Sequence, residues 1–310
     1  MASDELDGSL HVVKTIGMSV RSFCGELDAI PGRAGELKKI HRFHIYPVMF
    51  YRTNLWRHSK RVARTVRFFG QRINQLYANI LTLLKAELMA EIHDDPELIT
   101  GDHQVCLKNL MTPEQLAALE EEAVQAAATL SRRFPSHICG YRYHELLLEQ
   151  MGRKTLESQL VQFADKLDAC GEGFHELLAG NVVFATPLIR DGHVMELPPD
   201  SYCRYFSTFP QKYPAIASIE PFERLEVAPP GQRDWKALAM NSSLHRLETV
   251  DLPTGYFLYD LWKRIQLSDP EERGALTTQL EFPKASAALS AAFFCCLKKS
   301  FNSKSGRGDS

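Results

Sequence analysis

The chain has 310 residues, about two average domains, since one domain takes roughly 100–200 residues. Hydrophobic residues make up 45% and charged residues 24%, which argues against a collagen-like chain, global disorder and a small disulfide scaffold. Net charge is −2, so the surface as a whole is not built to attract nucleic acid.

The N-terminal MASDELDG is acidic and lacks an apolar core, so no signal peptide is read there. Gly8, Gly17, Gly25, Pro31, Gly32 and Gly35 mark residues 1–36 as a loosely structured lead-in. Charge then becomes uneven. From Arg33 to Arg72 there are 11 Lys and Arg against one acid, Glu36. From Glu87 to Glu122 there are 10 Asp and Glu against one base, Lys108. The two segments either neutralise each other when packed or form an anion-attracting wall facing carboxylates that hold a cation. A nucleic-acid groove is disfavoured, because Gly and aromatic residues are not interleaved with the bases.

Residues 37–181 read as helical. A helical stretch from Asn54 to Phe69 places His58 near its start. Leu76, Ile80, Leu83, Leu84, Leu88 and Ile92 recur at three and four residues, the stripe of one amphipathic helix that His93-Asp94 terminates. Thr112-Pro113-Glu114-Gln115 opens another helix: Thr112 can cap, Pro113 suits the first turn, and Gln115 sits where a capping box needs it. Leu156 to Leu178 is a third long helix with Asp165 inside it, stopped by Gly180-Asn181.

After residue 181, Pro187, Pro198, Pro199, Pro210, Pro214, Pro221, Pro229 and Pro230 break any long helix, and Tyr256 to Gln266 is a single helical candidate. The polar tail from Lys298 to Ser310 is expected to be disordered, and its Arg307-Gly308-Asp309 is read as a chance match to an integrin tripeptide. Cys295-Cys296 is read as a buried pair rather than a lipidation site. With no CxxC among them, the seven cysteines are read as reduced thiols of a cytoplasmic protein. No apolar run reaches the ~18 residues of a membrane helix.

His58, His93-Asp94 and Asp165 carry the chemistry. Three helices of a bundle can bring two imidazoles and two carboxylates to one point, and such mixed nitrogen and oxygen donors suit manganese, cobalt, iron or zinc better than calcium. Asp94, Asp95, Glu97 and Asp102 crowd the end of an apolar helix, where burial requires compensation by a cation or by the basic segment.

Three stretches carry a family resemblance. They are Arg57-His58-Ser59-x-x-Val62-Ala63, Ile92-His93-Asp94-x-x-Glu97-Leu98-Ile99-Thr100-Gly101-Asp102, and Val161-x-x-Ala164-Asp165-x-Leu167-x-Ala169 through Glu176-Leu177-Leu178-Ala179-Gly180-Asn181. Together they resemble the HD-domain phosphohydrolases, and within these the bacterial 5′-deoxynucleotidase group, over about residues 40–181. The resemblance implies metal ligands at His58, His93, Asp94 and Asp165, and active-site carboxylates at Glu97 and Asp102. Ahead of the first histidine the family has an Arg-Trp-Pro element. Its nearest equivalent here is Ile45-Tyr46-Pro47, without the arginine, and after Asp102 the usual proline is replaced by His103-Gln104. Both departures bear on base and sugar preference.

The expected roles follow. Asp94 can touch both ion and water. Glu97 serves as proton donor or water-positioning group, whether the helix continues past His93 or Pro96 starts a new short one; otherwise it is a helix-start acid. Asp102 orients a sugar hydroxyl or supports His93, or else caps a loop. One of Arg52, Arg57, Lys60, Arg61 and Arg64 can clamp the phosphate, Arg52 just before the His58 helix being the candidate; the alternative for each is a solvated basic face. Asp168 either supports the ligands or forms a salt bridge. His137 and His144 leave room for a second ion.

The expected fold is mainly α: an HD-domain helical bundle at 37–181, with an irregular proline-rich C-terminal extension of unknown role at 182–310. The expected function is a metal-dependent phosphohydrolase, foremost a 5′-nucleotidase that removes phosphate from (deoxy)nucleoside 5′-monophosphates by metal-activated water. The alternatives are hydrolysis of a nucleoside triphosphate or cyclic nucleotide, or a nucleotide-sensing HD module without catalysis. The cofactor is a divalent ion (Mn, Co, Fe, Zn or Mg) and the partner a small nucleotide. No membrane or nucleic-acid partner is expected, and a homodimer is left open.

Overall fold

The computed structural model describes residues 25–46, 48–190, 192–219, 235–236, 239 and 254–277. Residues 1–24 of the lead-in, Cys295-Cys296 and the tail from Lys298 lie outside the described residues.

Two short helices, α1 (Gly25–Asp28) and α2 (Arg33–Leu37), occupy the glycine-rich stretch that reads as loose in the sequence. Arg33 anchors them: it is buried, its guanidinium donates to both oxygens of Asp95 at 2.7–3.0 Å, and the Tyr143 hydroxyl donates to the same carboxylate at 2.9 Å. α3 (Leu55–Leu76) follows, started by Asn54, whose side chain accepts from the Arg57 amide. α4 (Leu83–Ile92) lies against α3, and His93 caps its C-terminus.

The single helix expected through Leu76 and Ile80 is not formed. α3 ends at Leu76 and α4 begins at Leu83, with Ala78 and Asn79 at φ 55° and 62° between them. Asn74 closes this loop by bonding both the amide and the carbonyl of Leu81. The return brings Leu81 and Leu83 onto Gly70, where a Cβ would lie 2.6 Å from a Leu83 methyl and oblige that side chain to shift.

α5 (Glu97–Thr100) is a new short turn started by Pro96, and α6 (Val105–Lys108) follows. α7 (Pro113–Arg133) opens with the expected capping box: Thr112 accepts from the Gln115 amide while Gln115 accepts from the Thr112 amide. A small hairpin pairs β1 (His137–Ile138) with β2 (Tyr141–Arg142), His137 opposite Arg142, and leads into α8 (Tyr143–Gly152).

α9 (Leu156–Leu178) is the centre of the molecule, with nearly every residue buried beneath α3, α4, α8 and later helices. Leu160, Phe163, Leu167, Phe174 and Leu177 meet Val62, Val66, Phe69, Leu88 and Ile92, each buried Leu or Phe contributing about 1.5–3 kcal/mol. A 3-10 turn (Val182–Ala185) and a second hairpin, β3 (Ile189–Arg190) with β4 (His193–Val194), continue the chain. Several prolines then open short helices rather than merely breaking long ones. Pro198 starts α10 (Pro198–Ser207), Pro210 sits in the first turn of α11 (Phe209–Lys212), and Pro214 starts α12 (Pro214–Ala217). Phe206 and Phe209 pack edge-on against Phe163 at 5.7 and 5.3 Å. α13 (Thr254–Leu267) contains the expected Tyr256–Gln266 helix and packs along α9. α14 (Pro270–Thr277) follows it.

Cysteine chemistry departs from expectation. Cys106, Cys170 and Cys203 are buried, but Cys139 is disulfide-bonded, so the seven are not all reduced. Among the described residues no helix is long and apolar enough to cross a membrane.

Candidate metal centre

α3, the end of α4 and the middle of α9 converge at one point. His58, one turn into α3, is fully buried. Its Nε2 lies 3.3 Å from Asp94 Oδ2 and 3.3 Å from Asp165 Oδ1. His93 Nε2 lies 3.1 Å from Asp94 Oδ1 and 3.9 Å from Asp165 Oδ1, and the two imidazole centroids are 5.2 Å apart. The four residues expected to act together are therefore neighbours. His93 and Asp94 sit where α4 stops, and α4 packs against α9, which carries Asp165.

The donor chemistry of this cluster fits a divalent cation. His58 Nε2, His93 Nε2 and Asp94 Oδ2 are buried and have no hydrogen-bond partner, although unpaired buried polar atoms cost about 1–3 kcal/mol each. Each imidazole is turned by its other nitrogen. His58 Nδ1 donates to Asp168 Oδ2 at 2.6 Å, and His93 Nδ1 donates to the Ala90 carbonyl at 2.8 Å. Such bonds leave the Nε2 lone pairs free for an ion. His58, His93 and Asp165 each offer a ligand atom within 4.8 Å of the others.

The surrounding charges are strongly coupled. Burial and the Arg42 charge oppose the imidazolium of His58, but the neighbouring carboxylates of Asp165 and Asp168 outweigh them and raise its pKa. Burial would raise the Asp165 carboxyl, yet Lys166 at 2.7 Å and the two histidines hold it well below the ordinary range. Asp168 is likewise held low, against burial, chiefly by Arg61. Glu97 goes the other way: burial, then Asp94 and Asp102, push its carboxyl well above the ordinary range. Burial also raises Asp102, with Arg42 opposing.

A cavity of about 230 Å³ opens beside the cluster, and His93, Asp94, Glu97, Asp102 and Asp165 all line it. Arg42, Lys108, Arg153 and Lys166 line it too, with Phe43, Met151 and Tyr202 as apolar wall. Arg52 does not. It is exposed and donates to the Tyr46 carbonyl at 2.8 Å, because the segment before α3 turns its side chain away from the cavity. The arginine ahead of the first histidine that reaches the cavity is Arg42, followed by the aromatic Phe43. Arg42 Nε donates to Glu172 at 3.0 Å and its Nη1 lies 3.8 Å from Asp94 Oδ2. The sequence signal was present, an Arg beside an aromatic residue, but it was masked by the other bases of that segment.

Those bases largely neutralise the acidic segment. Arg33 pairs with Asp95, Lys60 with Glu91 at 2.7 Å, and Arg67 with Glu87 at 2.6 Å. Arg61 is not solvated but fully buried against Asp168 and Glu172. His137 and His144 do not line the cavity, and among the described residues they join no group able to hold a second ion.

A family described as 5′-deoxynucleotidase YfbR-like matches residues 34–196. The chain belongs to this family. Members of the YfbR-like family are HD-domain phosphohydrolases, which use divalent metals, and the cluster above stands within the matched span. A conserved hypothetical protein from Pyrococcus furiosus is 28% identical in a solved structure, over 47% of this chain and 80% of that one, with a TM-score of 0.38. No curated protein matches the sequence.

Proposed function

We propose that this YfbR-like chain is a phosphomonoesterase that removes phosphate from (deoxy)nucleoside 5′-monophosphates, with His58, His93, Asp94 and Asp165 holding one divalent ion. The observation that carries this is the set of three unpartnered, buried ligand atoms beside a cavity that combines an acid pushed upward with four basic side chains. When bound, the ion acidifies water and offsets the charge of the phosphoryl group.

The protein's own residues supply the rest. Arg42, Lys108 and Lys166 draw a phosphate into the cavity, and Arg42 has the planar fork suited to its oxygens. Burial and repulsion from Lys166 lower the pKa of Lys108, so an anion between the two relieves that repulsion. Glu97, its carboxyl pushed upward by burial and by Asp94 and Asp102, is the group placed to pass a proton to the departing alkoxide oxygen. Asp94 keeps one oxygen free to orient water. Asp102, 4.0 Å from His44, is available to a sugar hydroxyl at the cavity wall.

The test is phosphate release from nucleoside monophosphates, triphosphates and cyclic nucleotides, with manganese or cobalt added. Monophosphates should be the substrates, and His93→Ala and Asp94→Ala should lose at least a hundredfold in rate. Equal rates in those variants would overturn the site. Release from triphosphates alone would overturn the substrate class.

A further inference from the structure

The family match ends at residue 196, and α13 and α14 lie beyond it. Yet α13 places Trp262 behind the candidate metal centre, fully buried, with its indole Nε1–H donating to Asp168 Oδ1 at 2.7 Å. Asp168 then has four bonds. Oδ1 accepts from Trp262 Nε1 and from Arg61 Nε at 2.8 Å; Oδ2 accepts from His58 Nδ1 at 2.6 Å and from Arg61 Nη2 at 2.8 Å. A carboxylate offers about four acceptor positions, so this one is saturated and cannot turn without breaking a bond. Its orientation fixes the plane of the His58 imidazole, and through it the direction of the unpartnered Nε2.

The fold makes room for this contact. Gly171 lies on α9 beneath the indole. A Cβ there would stand 2.6 Å from Trp262 Cδ1 and closer still to Cγ and Cδ2, so any side chain at 171 displaces the ring. Neighbouring residues tie α13 to α3, and α14 to the segment before α3: Gln266 accepts from Arg64 at 2.9 Å, and Glu272 accepts from the Tyr51 hydroxyl at 2.6 Å.

We infer that Trp262 is a positioning residue of the metal centre, holding His58 for the ion through Asp168, so that a segment outside the family match completes the site. This rests on the metal-centre reading proposed above.

The test measures cobalt(II) binding to the full chain by competition with a chromophoric chelator, together with the visible absorption band of bound cobalt. Trp262→Phe keeps an aromatic ring and removes the N–H. Because Phe is smaller and could impair folding, benzothienylalanine introduced at 262 serves as a second variant, retaining the indole shape without the donor. Both should weaken cobalt binding about tenfold and shift the absorption band, in line with the loss of an outer partner of a ligand. Tyr259→Phe, on the same helix, removes a hydroxyl that bonds His175 at 2.9 Å and does not touch Asp168, so its cobalt affinity should stay within twofold of the parent. Unchanged affinity in both 262 variants would overturn the inference, and Asp168→Asn and His58→Ala would then show whether the metal centre itself stands. Equal weakening by Tyr259→Phe would also overturn it, since general loosening of α13 would explain the loss. A parent protein that binds no cobalt would remove both the centre and the role of Trp262.

Discussion

Replacing Gly171 by Ala tests the packing of α9 against α13, because two effects of opposite sign compete. In a helix interior Ala is favoured over Gly by about 1 kcal/mol, so on propensity alone the variant should be more stable. The new methyl overlaps three atoms of the Trp262 ring, and overpacking of a filled core costs about 1–3 kcal/mol. If the indole retreats, its bond to the charged Asp168 is lost as well, about 1.5–3 kcal/mol. The sum leaves Gly171→Ala destabilised by about 1.5–5 kcal/mol. Urea unfolding followed by far-ultraviolet circular dichroism measures this. Adding Trp262→Leu should remove the clash, so the double variant should be no less stable than Trp262→Leu alone. A single Gly171→Ala variant as stable as the parent would refute the close approach, and with it the account of why a glycine stands in the middle of this helix.

Two further outcomes are expected. Arg33→Met should cost about 3–5 kcal/mol in the same unfolding assay, because it strands Asp95 as an uncompensated buried charge, and Arg33→Met with Asp95→Leu should recover most of that; a loss under about 1 kcal/mol would show the pair to be dispensable. Burial pushes the Cys106 thiol up to about 11, so at pH 8 its thiolate fraction falls roughly a hundredfold below that of an ordinary cysteine, and iodoacetamide should label it only after unfolding. Labelling of the native protein at the rate of a free thiol would contradict its placement in the cavity wall.

What the sequence discloses here is mostly local. The Thr112 to Gln115 cap, the length of the Leu156–Leu178 helix and the stop at His93 depend on neighbours within four residues, and all three appear as expected. The break between Leu76 and Leu83 was hidden, because apolar spacing of three and four continues across it while the turn depends on Asn74 and on φ at Ala78 and Asn79. The meeting of His58, His93, Asp94 and Asp165 was legible through motif order. Which base would face the cavity was not, since Arg42 and Arg52 differ only in where the chain before α3 turns. Trp262 gave no signal at all. It lies 94 residues from Asp168, and no periodicity spans that distance.

The polar ties of α13 and α14 reach far back along the chain: Tyr51 to Glu272 spans 221 residues and Arg64 to Asp269 spans 205. During synthesis the first three helices of the bundle leave the ribosome long before these acceptors exist. A nascent chain halted ahead of residue 262 leaves Asp168 one donor short, whatever its bundle has already buried. The hydrogen-bond set around Asp168 is therefore complete only once α13 has been made, well after translation of the HD motif.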